Sequence, residues 1–245
     1  MDPQDFTCPA AGRAVKAETG YWAFVPAPLP PPIQYDAPTT LLLSQADAAL
    51  SELSGLGRYL PNPDLLIAPY VKREAVASSR IEGTQADLSD LLLDEIEPKW
   101  TPPGSDVLEV RNYVAALNRG IRDLEKLPLS CRLLRDIHAV LMAGVRGHDK
   151  TPGEFRRSQN WIGPPGCTLA DATYVPPPEH EMKECLTLWE RFLHQRDTMP
   201  ELIQCALIHE HFEAIHPFLD GNGRIGRLLI TLFLIERGRL SKPLL

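Results

Sequence analysis

Residues 201–238 read as two apolar helices that meet at a proline, and no other stretch limits the fold as tightly. From Glu201 to Ile215, Leu202, Cys205, Ala206, His209 and Phe212 recur at spacings of three and four, the pattern of a buried helix face. Pro217 has no amide hydrogen to donate and disfavours helical backbone at His216, so the helix is expected to end there with the imidazole at its carboxyl terminus. Ile225, Leu228, Leu229, Leu232 and Ile235 then restart the helical period and carry it to Gly238, a C-terminal stop. The second helix therefore begins near Asn222.

The junction is dense in chemistry. Gly221-Asn222-Gly223 can turn its peptide N–H groups inward, because glycine takes positive φ without a steric penalty, and the unpaired donors of the new helix point the same way. That makes an anion site. Arg224 and Arg227, three residues apart in the first turn, add forked guanidinium donors suited to phosphate oxygens. Asp220 offers the hard oxygen that a magnesium ion on a polyphosphate takes, and His216 is the nearby group that titrates near neutral pH. Each feature alone reads as a turn, a solvated pair or a packed histidine; their coincidence at one helix–break–helix junction points to phosphate chemistry.

The residues His216-Pro217-Phe218-Leu219-Asp220-Gly221-Asn222-Gly223-Arg224-Ile225-Gly226-Arg227 resemble the signature of the Fic family, His-x-Phe-x-(Asp/Glu)-Gly-Asn-Gly-Arg-x-x-Arg, with every fixed position filled. The resemblance implies an all-α Fic-fold helical bundle and transfer of AMP from ATP to a hydroxyl of a target protein. On the matching positions it implies His216 as general base, Asp220 as magnesium ligand, and Asn222 with the Gly221 and Gly223 backbone as phosphate cradle. Arg224 and Arg227 would hold the β- and γ-phosphates, and Phe218 would anchor the loop in the core. Doc-type kinases of the superfamily carry a lysine near the second glycine; Gly223 favours adenylyl transfer over that chemistry.

A second resemblance lies upstream. A helix is expected from Pro69, suited to a first helical position, to Glu82, with Gly83 as its stop. Val71, Ala75, Ser78 and Glu82 fall on one stripe of it, which turns Glu82 inward and obliges its carboxylate to find a cation or take up a proton. Ser78-Ser79-Arg80-Ile81-Glu82-Gly83 resembles the family's inhibitory motif, (Ser/Thr)-x-x-x-Glu-(Gly/Asn), whose glutamate pairs with the second signature arginine, Arg227 here. An arginine so engaged cannot hold a γ-phosphate, and the carboxylate repels one.

The rest of the chain frames these motifs. With 245 residues and 44% hydrophobic content there is material for a sizeable core. No apolar run approaches the roughly 18 residues of a membrane span, and Met1-Asp2-Pro3-Gln4-Asp5 lacks the basic and apolar parts of a signal peptide. A soluble, cytoplasmic protein is expected, without a membrane partner. The net charge of −7 does not invite nucleic acid, and five scattered cysteines without C-x-x-C spacing read as reduced thiols.

Residues 1–38 read as a proline-rich arm, either laid on the surface or offered to an aromatic groove, with five prolines from Pro26 to Pro32. Residues 39–97 read as N-terminal helices including the inhibitory one, and 98–245 as the catalytic core. A stripe of Leu41, Leu42, Ala46, Ala49, Leu50 and Leu53 ends at Gly55; Asn62-Pro63 punctuates the next segment; Thr84–Glu95 turns Leu88, Leu91, Leu92 and Ile96 inward. After a break over Pro98–Pro103, Val107, Val110, Val114, Leu117 and Ile121 mark a helix from Asp106 to Lys126. Ser130 caps the next, on which His138 reads as a packing histidine. Strand character is confined to Asn160-Trp161-Ile162 and Ala172-Thr173-Tyr174-Val175, which resemble the family's flap, a small β-hairpin over the active site whose edge registers a target peptide by strand addition. Helices from Glu179 to Arg196 and Glu201 to Ile215 lead back to the signature.

The expected activity is thus an autoinhibited protein adenylyltransferase acting with magnesium and ATP on a Ser, Thr or Tyr hydroxyl, of another protein or of itself, with a homodimer among the expectations. De-adenylylation, transfer of another phosphate-containing group, and an ATP-sensing module whose extension binds DNA are the rivals. The chain closes on Leu244-Leu245 where many relatives continue into further helices and a winged-helix domain, so a longer protein is expected.

Overall fold

The computed structural model describes residues 1–59, 63–96, 102 and 104–243. Asn62, most of the Pro98–Pro103 break, and Leu244 with Leu245 lie outside them. The fold is mostly helical with a small two-stranded antiparallel sheet, and it divides into two compact units: residues 1–34 with 155–222, and residues 35–154 with 223–245. This division differs from the linear one drawn from sequence, because each unit is built from two separate lengths of chain and the boundary falls inside the signature, between Asn222 and Gly223.

In the first unit, residues 1–34 are not a bare arm. Strands β1 (Gly12–Lys16) and β2 (Trp22–Pro26) form an antiparallel pair with Gly12 opposite Pro26 and Lys16 opposite Trp22. Proline-rich surroundings, short length and weak alternation of polar and apolar residues hid this pair, which is closed by an Ala17–Tyr21 turn. The Phe24 N–H donates to the Val175 carbonyl (2.8 Å), and Ile162 and Tyr174 exchange hydrogen bonds of 2.8 and 3.0 Å. The expected flap is therefore a single bridge, with 172–175 lying between β2 and 160–162. Ala172 and Val175 are buried with Ala23, the Tyr174 hydroxyl donates to the Ala214 carbonyl (2.7 Å), and Thr173 stays exposed. The exposed edge belongs to Trp161 and Ile162 rather than to 172–175.

Helices α6 (Glu179–Leu193) and α7 (Glu201–Ile215) complete this unit. Trp189 is buried, its indole N–H donating to the Ile208 carbonyl (2.9 Å), and the Phe212 ring lies between Trp189 and Phe218 with centroids 5.8 and 6.4 Å away. Phe155 meets Phe218 from another side at 5.1 Å. This aromatic chain removes large apolar area from water and fixes the end of α7.

The second unit is helical: α1 (Ala37–Tyr59), α2 (Pro63–Ile81), α3 (Leu88–Ile96), α4 (Asp106–Leu124), α5 (Cys131–Leu141), and α8 (Asn222–Glu236) from Gly223 onward. Helix α1 runs past Gly55, a residue with open space around it, because one glycine costs a long helix only about 1 kcal/mol. The first-turn role expected of Pro69 falls to Pro63, and Pro69 sits inside α2. Leu92 and Ile96 face water on α3, where only Leu91 is deeply buried. The buried face of α4 is Val110, Tyr113, Ala116, Leu117 and Gly120, rotated from the expected stripe because Gly120 admits Leu232 of α8: a methyl group there would lie 2.9 Å from its δ-carbons. Ser130 caps α5 as expected, and buried His138 accepts the Gly153 N–H at Nδ1 (2.8 Å).

Candidate active site

The two halves of the signature are shaped by different means. In the first unit, α7 ends at His216 in a left-handed conformation (φ 49°, ψ 61°), its N–H still donating to the Phe212 carbonyl. A non-glycine residue holds such a backbone only where its surroundings enforce it, and two side chains do so. Arg156, 1% exposed, donates from Nε to the His216 carbonyl (3.0 Å) and from Nη2 to those of Pro177 (2.6 Å) and Ile215 (3.4 Å), while its own N–H donates to the Pro217 carbonyl (2.8 Å). Burial pushes its pKa down to about 10, so at neutral pH the guanidinium keeps its charge. Asn160 donates from Nδ2 to the His216 (3.1 Å) and Phe218 (2.8 Å) carbonyls.

Further along, Asn222 accepts the Phe218 N–H at Oδ1 and donates from Nδ2 to the Phe218 carbonyl, both at 2.8 Å. Its amide thus closes the loop on itself rather than facing outward. Asp220 accepts the Gly221 N–H (2.7 Å), which orients a half-exposed carboxylate at the tip, and the His216 Nδ1 lies 3.3 Å from the Glu213 carbonyl. Phe218 is fully buried.

In the second unit, the start of α8 presents Gly223, Arg224 and Arg227 beside the end of α2. Arg227 meets three acceptors: its Nε donates to Ser78 Oγ (2.6 Å), and its Nη2 to the Ser78 carbonyl (3.1 Å) and to Glu82 Oε1 (2.6 Å). That same Glu82 oxygen lies 2.4 Å from where a Cβ on Gly223 would stand, so the carboxylate covers the first turn of α8 at the point where the helix is most attractive to anions. Gly83 ends the helical run at φ +92°. Contrary to the inward stripe, Glu82 is not buried; its side chain keeps 36% exposure, and Arg227 keeps 20%. Arg224 is 3% exposed, with Nη2 3.5 Å from Met142 Sδ and Nη1 3.8 Å from Glu109 Oε2. It lies inside the unit, behind the helix start.

Sequence reasoning missed Arg156, Asn160 and Glu109. Arg156 and Asn160 sit about sixty residues upstream of the loop they hold, and no local periodicity ties them to it. Glu109 does carry a signal in the sequence, a glutamate on an otherwise apolar helix turn.

A helix start with two arginines, following a loop fixed by buried donors, is an arrangement electrostatically suited to anions. Models of the Fic/DOC family N-terminal region and of the Fic/DOC family match residues 40–122 and 128–234, together more than half of the chain. The chain belongs to the Fic/DOC family. It is 26% identical over 170 residues to a probable protein adenylyltransferase of Aquifex aeolicus, covering 69% of this chain and 49% of that one. To the protein adenylyltransferase Fic of Drosophila erecta it is 29% identical over 117 residues, covering 47% and 21%. It thus spans about half or less of the length of these relatives. Among solved structures, a Fic domain containing signaling protein of Bacteroides thetaiotaomicron superposes with TM-score 0.61 at 21% identity, over 81% of this chain and 72% of that one. A Fic family protein of Desulfovibrio desulfuricans does so with TM-score 0.59 at 25% identity, over 83% and 59%. Among the described residues, no helix is long and apolar enough to cross a membrane.

Proposed function

We propose that this chain is a protein adenylyltransferase whose activity is restrained by its own Glu82. The relatives named as adenylyltransferases support the reaction class, and the observation that carries the restraint is the 2.6 Å pair between Glu82 Oε1 and Arg227 over Gly223. In this reading the first turn of α8 and Arg227 receive the terminal phosphates of ATP. Glu82 occupies the same donors, so nucleotide must displace it or bind in an unproductive pose. Arg224, buried beside Glu109, acts by its charge from behind that turn.

His216 is the base that takes the proton from the attacking hydroxyl as its oxygen bonds to the α-phosphorus and pyrophosphate departs. Loop amides and Arg227 offset the charge gathering on the leaving group, a matter of positioning and electrostatics. Asp220, a single hard oxygen donor oriented by the Gly221 N–H, fits the magnesium of Mg-ATP, which neutralises polyphosphate charge when bound. A target segment would pair along the flap, whose exposed members are Trp161, Ile162 and Thr173. With ATP as donor and five free cysteines, the reading implies the cytoplasm.

The experiment is double labelling. Glu82→Gly protein incubated with ATP labelled at the α- or the γ-phosphate should place only the α label on protein, and His216→Ala in that background should place neither. Transfer of the γ label would mean a kinase, and no transfer of either by Glu82→Gly protein, offered itself and a native lysate as acceptors, would refute the reading.

A further inference from the structure

Glu109 on α4 is a buried acidic side chain that the proposed reaction does not use. Only 1% of it is exposed, and a buried carboxylate requires compensation. Thr84 donates its hydroxyl to Glu109 Oε2 (2.6 Å), and Arg224 approaches the same oxygen at 3.8 Å. Arg146 Nε lies 3.6 Å from Oε1, and the Nη2 of the same arginine donates to the main-chain carbonyl of Glu82 (3.4 Å). Thr84 lies two residues after Glu82 and is itself buried, and the Thr84 N–H donates to the Ser79 carbonyl (3.2 Å). One carboxylate is therefore tied to the turn that carries Glu82 from two directions, through Thr84 on the chain side and Arg146 on the solvent side.

The partly exposed Glu82–Arg227 pair alone makes a weak latch, since such pairs contribute little. Glu82 follows the last helical residue of α2, and Gly83 adds backbone freedom at that point. Without further ties, the carboxylate would leave Arg227 often. We propose that Glu109, acting through Thr84 and Arg146, is a positioning residue that holds the Glu82 turn in place and so sets how firmly the restraint grips. This rests on the proposed adenylyl transfer and extends its restraint from one contact to a network in which the buried carboxylate also faces the first signature arginine.

Arg146→Ala and Thr84→Val test it in the chain as it stands. Arg146 is 62% exposed, and Thr84 and Arg224 still face Glu109 when it is replaced, while Thr84→Val keeps the shape of the buried side chain. Each variant should quicken amide exchange of residues 79–86 and raise the initial rate of AMP incorporation about fivefold, the effect of losing one hydrogen bond. In a Glu82→Gly background neither should change the rate more than about twofold, because no restraint remains to loosen. Arg146→Lys should return part of the exchange protection. Unchanged exchange in both variants while Glu82→Gly is active would overturn the proposal, as would equal stimulation with and without Glu82. Quickened exchange with no AMP incorporation even in Glu82→Gly would leave the network standing and remove the proposed function instead.

Discussion

Glu82 and Arg227, 145 positions apart in sequence, meet at 2.6 Å over a glycine that has no room for a side chain. The arginine is further committed to Ser78 through Oγ and the main-chain carbonyl. The arrangement is better suited to occupying a site than to stabilising the fold. A partly exposed ion pair contributes about 1 kcal/mol or less, yet it can deny an incoming phosphate its guanidinium as long as the turn is held.

Gly223 should accept a side chain poorly, because a Cβ there would stand at the first turn of α8 where a phosphate is proposed to bind. In Gly223→Ala the new methyl would fall 2.4 Å from Glu82 Oε1 and 3.0 Å from Arg227 Nη1, so both must shift. The variant is expected to bind ATP weakly, and Glu82→Gly is not expected to rescue it, because the methyl itself fills the anion site. Calorimetric titration of single and double variants with Mg-ATP checks this; full recovery in the double variant would mean the glycine matters only through Glu82.

Asn222 should behave as a loop fastener. Asn222→Ala loses two hydrogen bonds to the Phe218 backbone in a buried setting, where an unsatisfied donor or acceptor costs about 1–3 kcal/mol. Denaturant unfolding should show destabilisation of about 2–4 kcal/mol. A change below about 0.5 kcal/mol, typical of an exposed surface position, would remove the residue from this role.

His216→Ala should separate binding from chemistry. As a base acting on the attacking hydroxyl, the imidazole is not asked to hold the phosphates, so ATP affinity in a Glu82→Gly background should change little while AMP transfer is lost. A drop of about a hundredfold or more fits a general base; retained transfer would exclude it.

His211 should make the protein acid-sensitive. It is 4% exposed, and burial pushes its pKa down from 6.5 to about 4. Between those values the unfolded chain binds the proton and the folded chain does not, so stability falls as pH drops through this window and is unaffected by this group above it. The loss approaches about 3 kcal/mol at the acid end. Denaturation midpoints of the parent and His211→Gln between pH 7 and 4 should converge as pH falls, and parallel curves would contradict the assignment.

Legibility in the sequence tracks the range of the forces involved. The break at Pro217, the cap at Ser130 and the glycine stop at Gly83 are local effects of backbone chemistry, and each appears in the structure. Pro69 shows the limit of such signals: a proline marks a helix start only when packing does not favour extending the helix behind it, and here α2 begins at Pro63. Strands β1 and β2 were hidden because their burial depends on partners far along the chain, such as the Phe24–Val175 hydrogen bond. Glu82 was identified by motif, but its half-exposed state was not, since helical periodicity assigns a face and says nothing of how deeply that face is covered at a helix end. Arg156 and Asn160, which hold the loop backbone, escaped because they recognise carbonyl groups, and those carry no residue identity to read.

The most direct measurement is the initial rate of AMP incorporation by parent and Glu82→Gly proteins at the same saturating Mg-ATP, alongside the nucleotide affinity of each. Restraint by Glu82 predicts a rate at least about tenfold higher in the variant, the equivalent of about 1.4 kcal/mol, with ATP bound by both. Equal rates at equal occupancy would contradict the claim that Glu82 holds the site closed.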